Sequence, residues 1–108
     1  MIKFFMRIFS LIAISISALF FVISGTFAGS PTKVGFVYLH TKEDFGWTMA
    51  HERGAQMVKK HFGNNVKITE VNNVPEGPDS TRVIRELAKQ GHEIIFTTSF
   101  GYMEPTLK

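Results

Sequence analysis

The alternation of two hydrophobic periods along residues 33–108 narrows the possible folds more than any other feature of this sequence. Lys33–Tyr38 (KVGFVY), Val66–Val71 (VKITEV) and Glu93–Thr97 (EIIFT) are short apolar runs rich in β-branched and aromatic residues, the pattern of strands. Between the first two runs the period changes. Trp47, Ala50, Gly54, Met57, Val58 and Phe62 fall on one helical face, and Glu52, Arg53, Lys59 and Lys60 fall elsewhere. A second helix is predicted over Ser80–Gln90, with Val83, Ile84, Leu87 and Ala88 inward. Strands joined by helical crossovers run parallel with right-handed connections, so the expected fold class is open α/β.

Local signals sharpen this order. The first run lacks strict alternation and suits a strand covered on both faces; the second alternates and suits a place nearer the sheet edge. Gly46 or Thr48 can cap the first helix, and Gly63 closes it. Gly54 lies on the predicted buried stripe, where a missing side chain would let the helix approach the sheet closely. Asp79 or Ser80 can cap the second helix, which Gly91 stops. Asn72–Asp79 reads as loop. Thr98–Tyr102 reads as another, and Met103–Lys108 begins a helix with Pro105 in its first turn.

Residues 1–28 stand apart. A basic start (Lys3, Arg7), an apolar run from Ile8 to Ile23 and small residues at Gly25, Thr26 and Ala28 form a secretory signal, with cleavage expected after Ala28. Ser10, Ser15 and Ser17 dilute the run and no stop-transfer charges follow, which argues against a membrane anchor. Residues 29–108 would then be exported to the periplasm. The whole chain has 12 Lys+Arg against 9 Asp+Glu; without Lys3 and Arg7 the balance is 10 − 9 = +1, too little for a nucleic-acid footprint. The absence of cysteine excludes a disulfide scaffold, a thiolate nucleophile and a lipid-modified cysteine after the leader. Three parallel strands leave a sheet edge unpaired and the last helix has only about a turn. The sequence is therefore expected to be the N-terminal part of a longer protein.

In a parallel sheet the loops leaving the strands' carboxyl ends share one rim, where ligands bind. Those loops are HTKEDFGW, NNVPEG and TSFGY, rich in amide, hydroxyl, glycine and aromatic groups, suited to holding a small flat or polar ligand. Phe45 and Trp47 could stack on a heterocycle, and Asp44 and Glu43 could bind a hydroxyl or amine. Ser99 follows a strand, but Thr97 stands where a nucleophile elbow needs glycine. His40, His51, His61 and His92 lack metal-ligand spacing, and no dinucleotide fingerprint follows Gly35. Catalysis, a metal and a cofactor are therefore not expected.

GFVYLHTKEDFGWTMAHERG, NVPEG and VIRELAKQGHEIIFTTSFGYMEPT, in this order, resemble the N-terminal lobe of the basic membrane protein family of substrate-binding proteins, which serve ABC importers and are similar to purine nucleoside receptors. The resemblance implies a periplasmic-binding-protein type I fold of two α/β lobes, of which this chain carries part of the first. It implies a purine nucleoside or base as ligand, and a membrane permease as partner. By the same resemblance Phe45 or Trp47 stacks on the base, Ser99-Phe100-Gly101 forms a second cleft-lining segment, and Asp44 and Asn73 contribute polar contacts. Asp44-Phe45-Gly46 stands where the nucleoside receptors carry Ser-Phe-Asn, and Leu39-His40 replaces their acidic residue, which favours a free base or another small heterocycle as readily as a nucleoside. A chain with half a cleft is not expected to bind tightly alone. The alternative from another class is an enzyme or sensor domain on the same scaffold.

Overall fold

The computed structural model describes Ile2 and residues 29–108, so the predicted signal segment and its cleavage point lie outside the described residues. Strands β1 (Thr32–Val37), β2 (Val66–Val71) and β3 (Ile94–Thr97) form one parallel sheet in the order β2-β1-β3. Val34 of β1 pairs with Ile68 on one side and Ile94 on the other. Helices α1 (Trp47–Phe62), α2 (Pro78–Lys89) and the short α3 (Met103–Leu107) follow the three strands in turn. This is the α/β architecture expected for part of a type I lobe. Among the described residues no helix is long and apolar enough to cross a membrane.

Side-chain alternation along β1 divides the core in two. Val34, Phe36 and Tyr38 pack with Ala55 of α1 and with Val66 and Ile68. Val37 packs on the opposite face with Val74, Ile84, Leu87 and Tyr102, joined by Leu39, Val71 and Ile95. The central strand is thus covered on both sides, as its unbroken apolar run predicts. Gly35 has a specific reason. A Cβ there would lie 3.1 Å from Leu87 Cδ1 and 3.5 Å from His92 Cδ2. The His92 ring passes across the strand at this point: Nδ1 donates to Leu87 O at 2.8 Å and Nε2 lies 2.8 Å from Thr69 Oγ1 on β2.

The inward stripe of α1 differs from expectation. Thr48 and Ala55 are buried and Val58 is half-buried, whereas Ala50, Gly54 and Met57 face solvent and Trp47 and Phe62 are exposed. The helix sets small residues against the sheet because Phe36 and Tyr38 already fill the space between. Gly54 therefore permits no close approach; a Cβ there would meet nothing within 4 Å.

On α2 the N-cap is Gly77, at φ 98°, not Asp79 or Ser80. Ser80 and Thr81 instead donate their hydroxyls back to Gly77 O at 2.8 and 3.2 Å. Ser80, Ile84 and Leu87 are the buried residues of this helix, and Ala88, expected inward, is exposed. Gly91 takes the left-handed conformation (φ 81°) just past the helix, with Gly91 N donating to Ala88 O at 3.0 Å and His92 N to Leu87 O at 3.1 Å. α3 lies against α2, so both sit on the face opposite α1. Over β3 on the α1 side, Ile94 and Phe96 remain 48% and 46% exposed beside Phe62 and Val58.

Candidate ligand-binding site

The chain steps from β1 to β2 on one side and then crosses to β3 on the other, so the direction of winding reverses beside β1. Such a reversal opens a crevice outside the carboxyl ends of the strands. Segments 39–46, 72–77 and 98–102 leave those ends and surround it.

In the first segment a 3-10 turn, Lys42–Asp44, brings the Asp44 carboxylate beneath the start of α1. Oδ1 accepts from Gly46 N at 2.9 Å and Met49 N at 3.2 Å, and Oδ2 accepts from Thr48 N at 2.9 Å. Asp44 therefore satisfies first-turn donors that a helix leaves unpaired, and these backbone bonds, that of Gly46 foremost, hold its pKa down at about 2. Phe45 follows in the left-handed conformation (φ 54°) with its side chain 82% exposed. That conformation costs a non-glycine residue on the order of 1 kcal/mol.

Trp47 opens α1 with its ring edge anchored across the crevice: Nε1–H donates to Thr98 O in the third segment. One side of the indole lies against the His51 ring, with centroids 4.7 Å apart. His51 Nδ1 in turn lies 2.8 Å from Trp47 O. The residue is still 66% exposed. Thr98 is fixed in its own right, since its backbone N and its Oγ1 both donate to Val37 O, at 3.2 and 2.9 Å.

The second and third segments are tied together. Val74 N donates to Tyr38 O at 3.0 Å, and Val74 O accepts from the buried Tyr102 hydroxyl at 2.6 Å. Burial, and next the charge of Glu76, pushes the Tyr102 phenol up to about 12. Glu76 Oε1 accepts from Ser99 Oγ and, at 3.1 Å, from Gly101 N. A side chain at position 101 would overlap the Glu76 carboxylate, so this contact requires the glycine. Phe100, between the two residues that hold Glu76, is 86% exposed.

The structure thus places the predicted residues in three groups. Phe45, Trp47 and Phe100 are exposed aromatic rings, on the first segment, at the start of α1 and on the third segment. Asp44 and Gly46 are engaged in starting α1, and Ser99 and Gly101 hold Glu76. Asn73, at φ 53°, is exposed on the second segment and contacts neither group in a hydrogen bond among the described residues. Sequence reasoning missed Glu76, Thr98 and Tyr102, whose partners lie far along the chain; the glycine at 101 was the one local signal of a close approach. Among the described residues no group of three or more His, Asp or Glu is placed to hold a metal ion. The arrangement can stack a flat ring on exposed aromatics while backbone and side-chain polar groups meet its edge.

A family profile described as ABC transporter substrate-binding protein PnrA-like (Bmp) matches residues 31–108. The chain is 46% identical over 76 residues to a purine-binding protein of Brucella abortus (strain 2308), covering 70% of this chain and 22% of that protein. It is 31% identical over 81 residues to a Haloferax volcanii protein named as an ABC transporter glucose-binding protein, covering 75% of this chain and 20% of the other. The chain therefore spans about a fifth of the length of these curated relatives.

Proposed function

The chain belongs to the PnrA-like (Bmp) family of ABC transporter substrate-binding proteins, and on that premise we propose that it captures a purine base or nucleoside in the periplasm for an ABC importer. The carrying observation is the trio of exposed aromatics, Phe45, Trp47 and Phe100, beside a crevice at the carboxyl ends of the strands. Large rings left in water on an otherwise polar rim suit stacking against a heterocycle. Asn73 offers its side-chain amide beside them, Ser99 and Gly101 serve the rim by holding Glu76, and Asp44, with Gly46, serves it by holding Phe45 and the start of α1 in place. The name of the Brucella relative supports a purine over a sugar, because that protein shares the higher identity. Binding is the whole of the proposed activity, with transfer to a membrane permease as its outcome; no bond is made or broken.

One rim covers one side of a ligand. Affinity for this 108-residue chain is therefore expected on the order of millimolar, far below that of a closed cleft. Backbone amide shift titrations with adenine, hypoxanthine, adenosine and guanosine test the reading. Perturbation centred on Phe45, Trp47 and Phe100 is expected; a response to glucose with none to any purine overturns the ligand class. Residues 1–28 are proposed to direct export and to be removed after Ala28. The intact mass of exported material should place its first residue at Gly29, and a retained leader would refute the cleavage.

A further inference from the structure

We propose that Glu76 contacts the ligand, presenting its second carboxylate oxygen to a ring N–H, amine or hydroxyl of the molecule stacked on the rim. The inference rests on the binding reading above and supplies the polar partner that stacking alone lacks. Glu76 Oε1 is held by Ser99 Oγ and by Gly101 N at 3.1 Å, so the carboxylate is oriented before any ligand arrives. Oε2 has no hydrogen-bond partner among the described residues, and the side chain is exposed. Position 101 is bare where any side chain would overlap the carboxylate, which lets the charge rest on the third segment. Phe100 projects from between the two residues that hold it.

Asp44 offers the instructive contrast. It was the carboxylate expected at the ligand, yet both its oxygens accept backbone N–H groups of the first turn. Glu76 is the carboxylate that joins two rim segments and keeps an oxygen unengaged. An ionised carboxylate only accepts hydrogen bonds, so it selects ligands that carry donors. Such charge-assisted bonds are also roughly twice as strong as neutral ones. The substrate class it fits is a flat heterocycle with an N–H or amino group at its edge, or one bearing sugar hydroxyls.

The test is a shift titration of the isotope-labelled 108-residue chain with three probes: adenine, the donor-free analogue 6-dimethylamino-9-methylpurine, and glucose. Adenine is expected to move the Ser99 and Gly101 amides and to bind about fivefold more tightly than the donor-free purine, as one extra hydrogen bond would give. Glu76→Gln keeps an amide oxygen for Ser99 and Gly101 but replaces the free acceptor with a donor; it should bring the two purines to within about twofold. An unshifted Gly101 amide in ligand-free E76Q verifies that the segment is intact. Ser99→Ala loosens the carboxylate without removing its charge and should weaken adenine binding less than E76Q does. A preference for adenine that survives in E76Q, or equal binding of both purines by the parent chain, overturns the role of Glu76. If glucose alone moves Gly101 and E76Q abolishes that response, the purine reading falls and Glu76 stands. If no probe moves Gly101, Glu76 is not a ligand contact.

Discussion

Phe45 is held where a phenylalanine is least comfortable. Its left-handed backbone would suit glycine, and its ring lies in water with no packing to compensate. Phe45→Gly should accordingly leave stability unchanged or raise it by up to about 1 kcal/mol in urea unfolding, while weakening purine-induced shifts on the rim. A destabilised glycine variant would mean that the ring supports the fold instead. The neighbouring Asp44 makes a pH prediction. Its folded pKa of about 2 lies below the ordinary carboxylate value near 4, so its contribution is complete above about pH 4 and disappears as pH falls through 2. Asp44→Ala should lower the urea midpoint clearly at pH 6 and much less at pH 2, where the folded carboxyl is already half protonated; an equal loss at both would refute the charge-dependent cap. The aromatic candidates were legible in the sequence because loops rarely carry bare rings without cause. Asp44's attachment to three backbone donors was not, since it depends on the Lys42–Asp44 turn setting the carboxylate against the start of α1.

The two strand and helix glycines behave oppositely, and substitutions separate them. Gly54→Ala should stabilise the chain by about 0.5–1 kcal/mol, because the position is open and alanine is the better helix former. Gly35→Ala should cost about 1–3 kcal/mol, since Leu87 Cδ1, 3.1 Å from the added Cβ, must give way while His92 stays in contact. Thermal or urea midpoints of the two variants moving in the same direction would contradict the packing described. Strand and helix positions were readable from hydrophobic period alone: β1, β2 and β3 fall within a residue or two of the predicted runs. The buried side of α1 was not, because period fixes the spacing of an apolar stripe and not which of two adjacent stripes meets the sheet. Phe36 and Tyr38 settle that choice by filling the interface with their own rings, leaving room for Thr48 and Ala55.

At the scale of the whole molecule, the uneven covering of the sheet predicts an exposed apolar surface. α2 and α3 share one face and α1 covers only part of the other, leaving Ile94 and Phe96 half in water beside Phe62. Exported protein beginning at Gly29 should enhance the fluorescence of an apolar dye such as ANS under native conditions, and Ile94→Lys should reduce that signal; an unaltered signal would locate the dye elsewhere. The sheet order has a separate consequence for how the protein is made. Among the described residues the first strand is also the middle strand, paired to β2 on one side and β3 on the other. During synthesis each later strand therefore meets a partner that has already left the ribosome. For these three strands assembly can proceed outward from β1 in the order of translation, with none of the three required to wedge between two others that have already met.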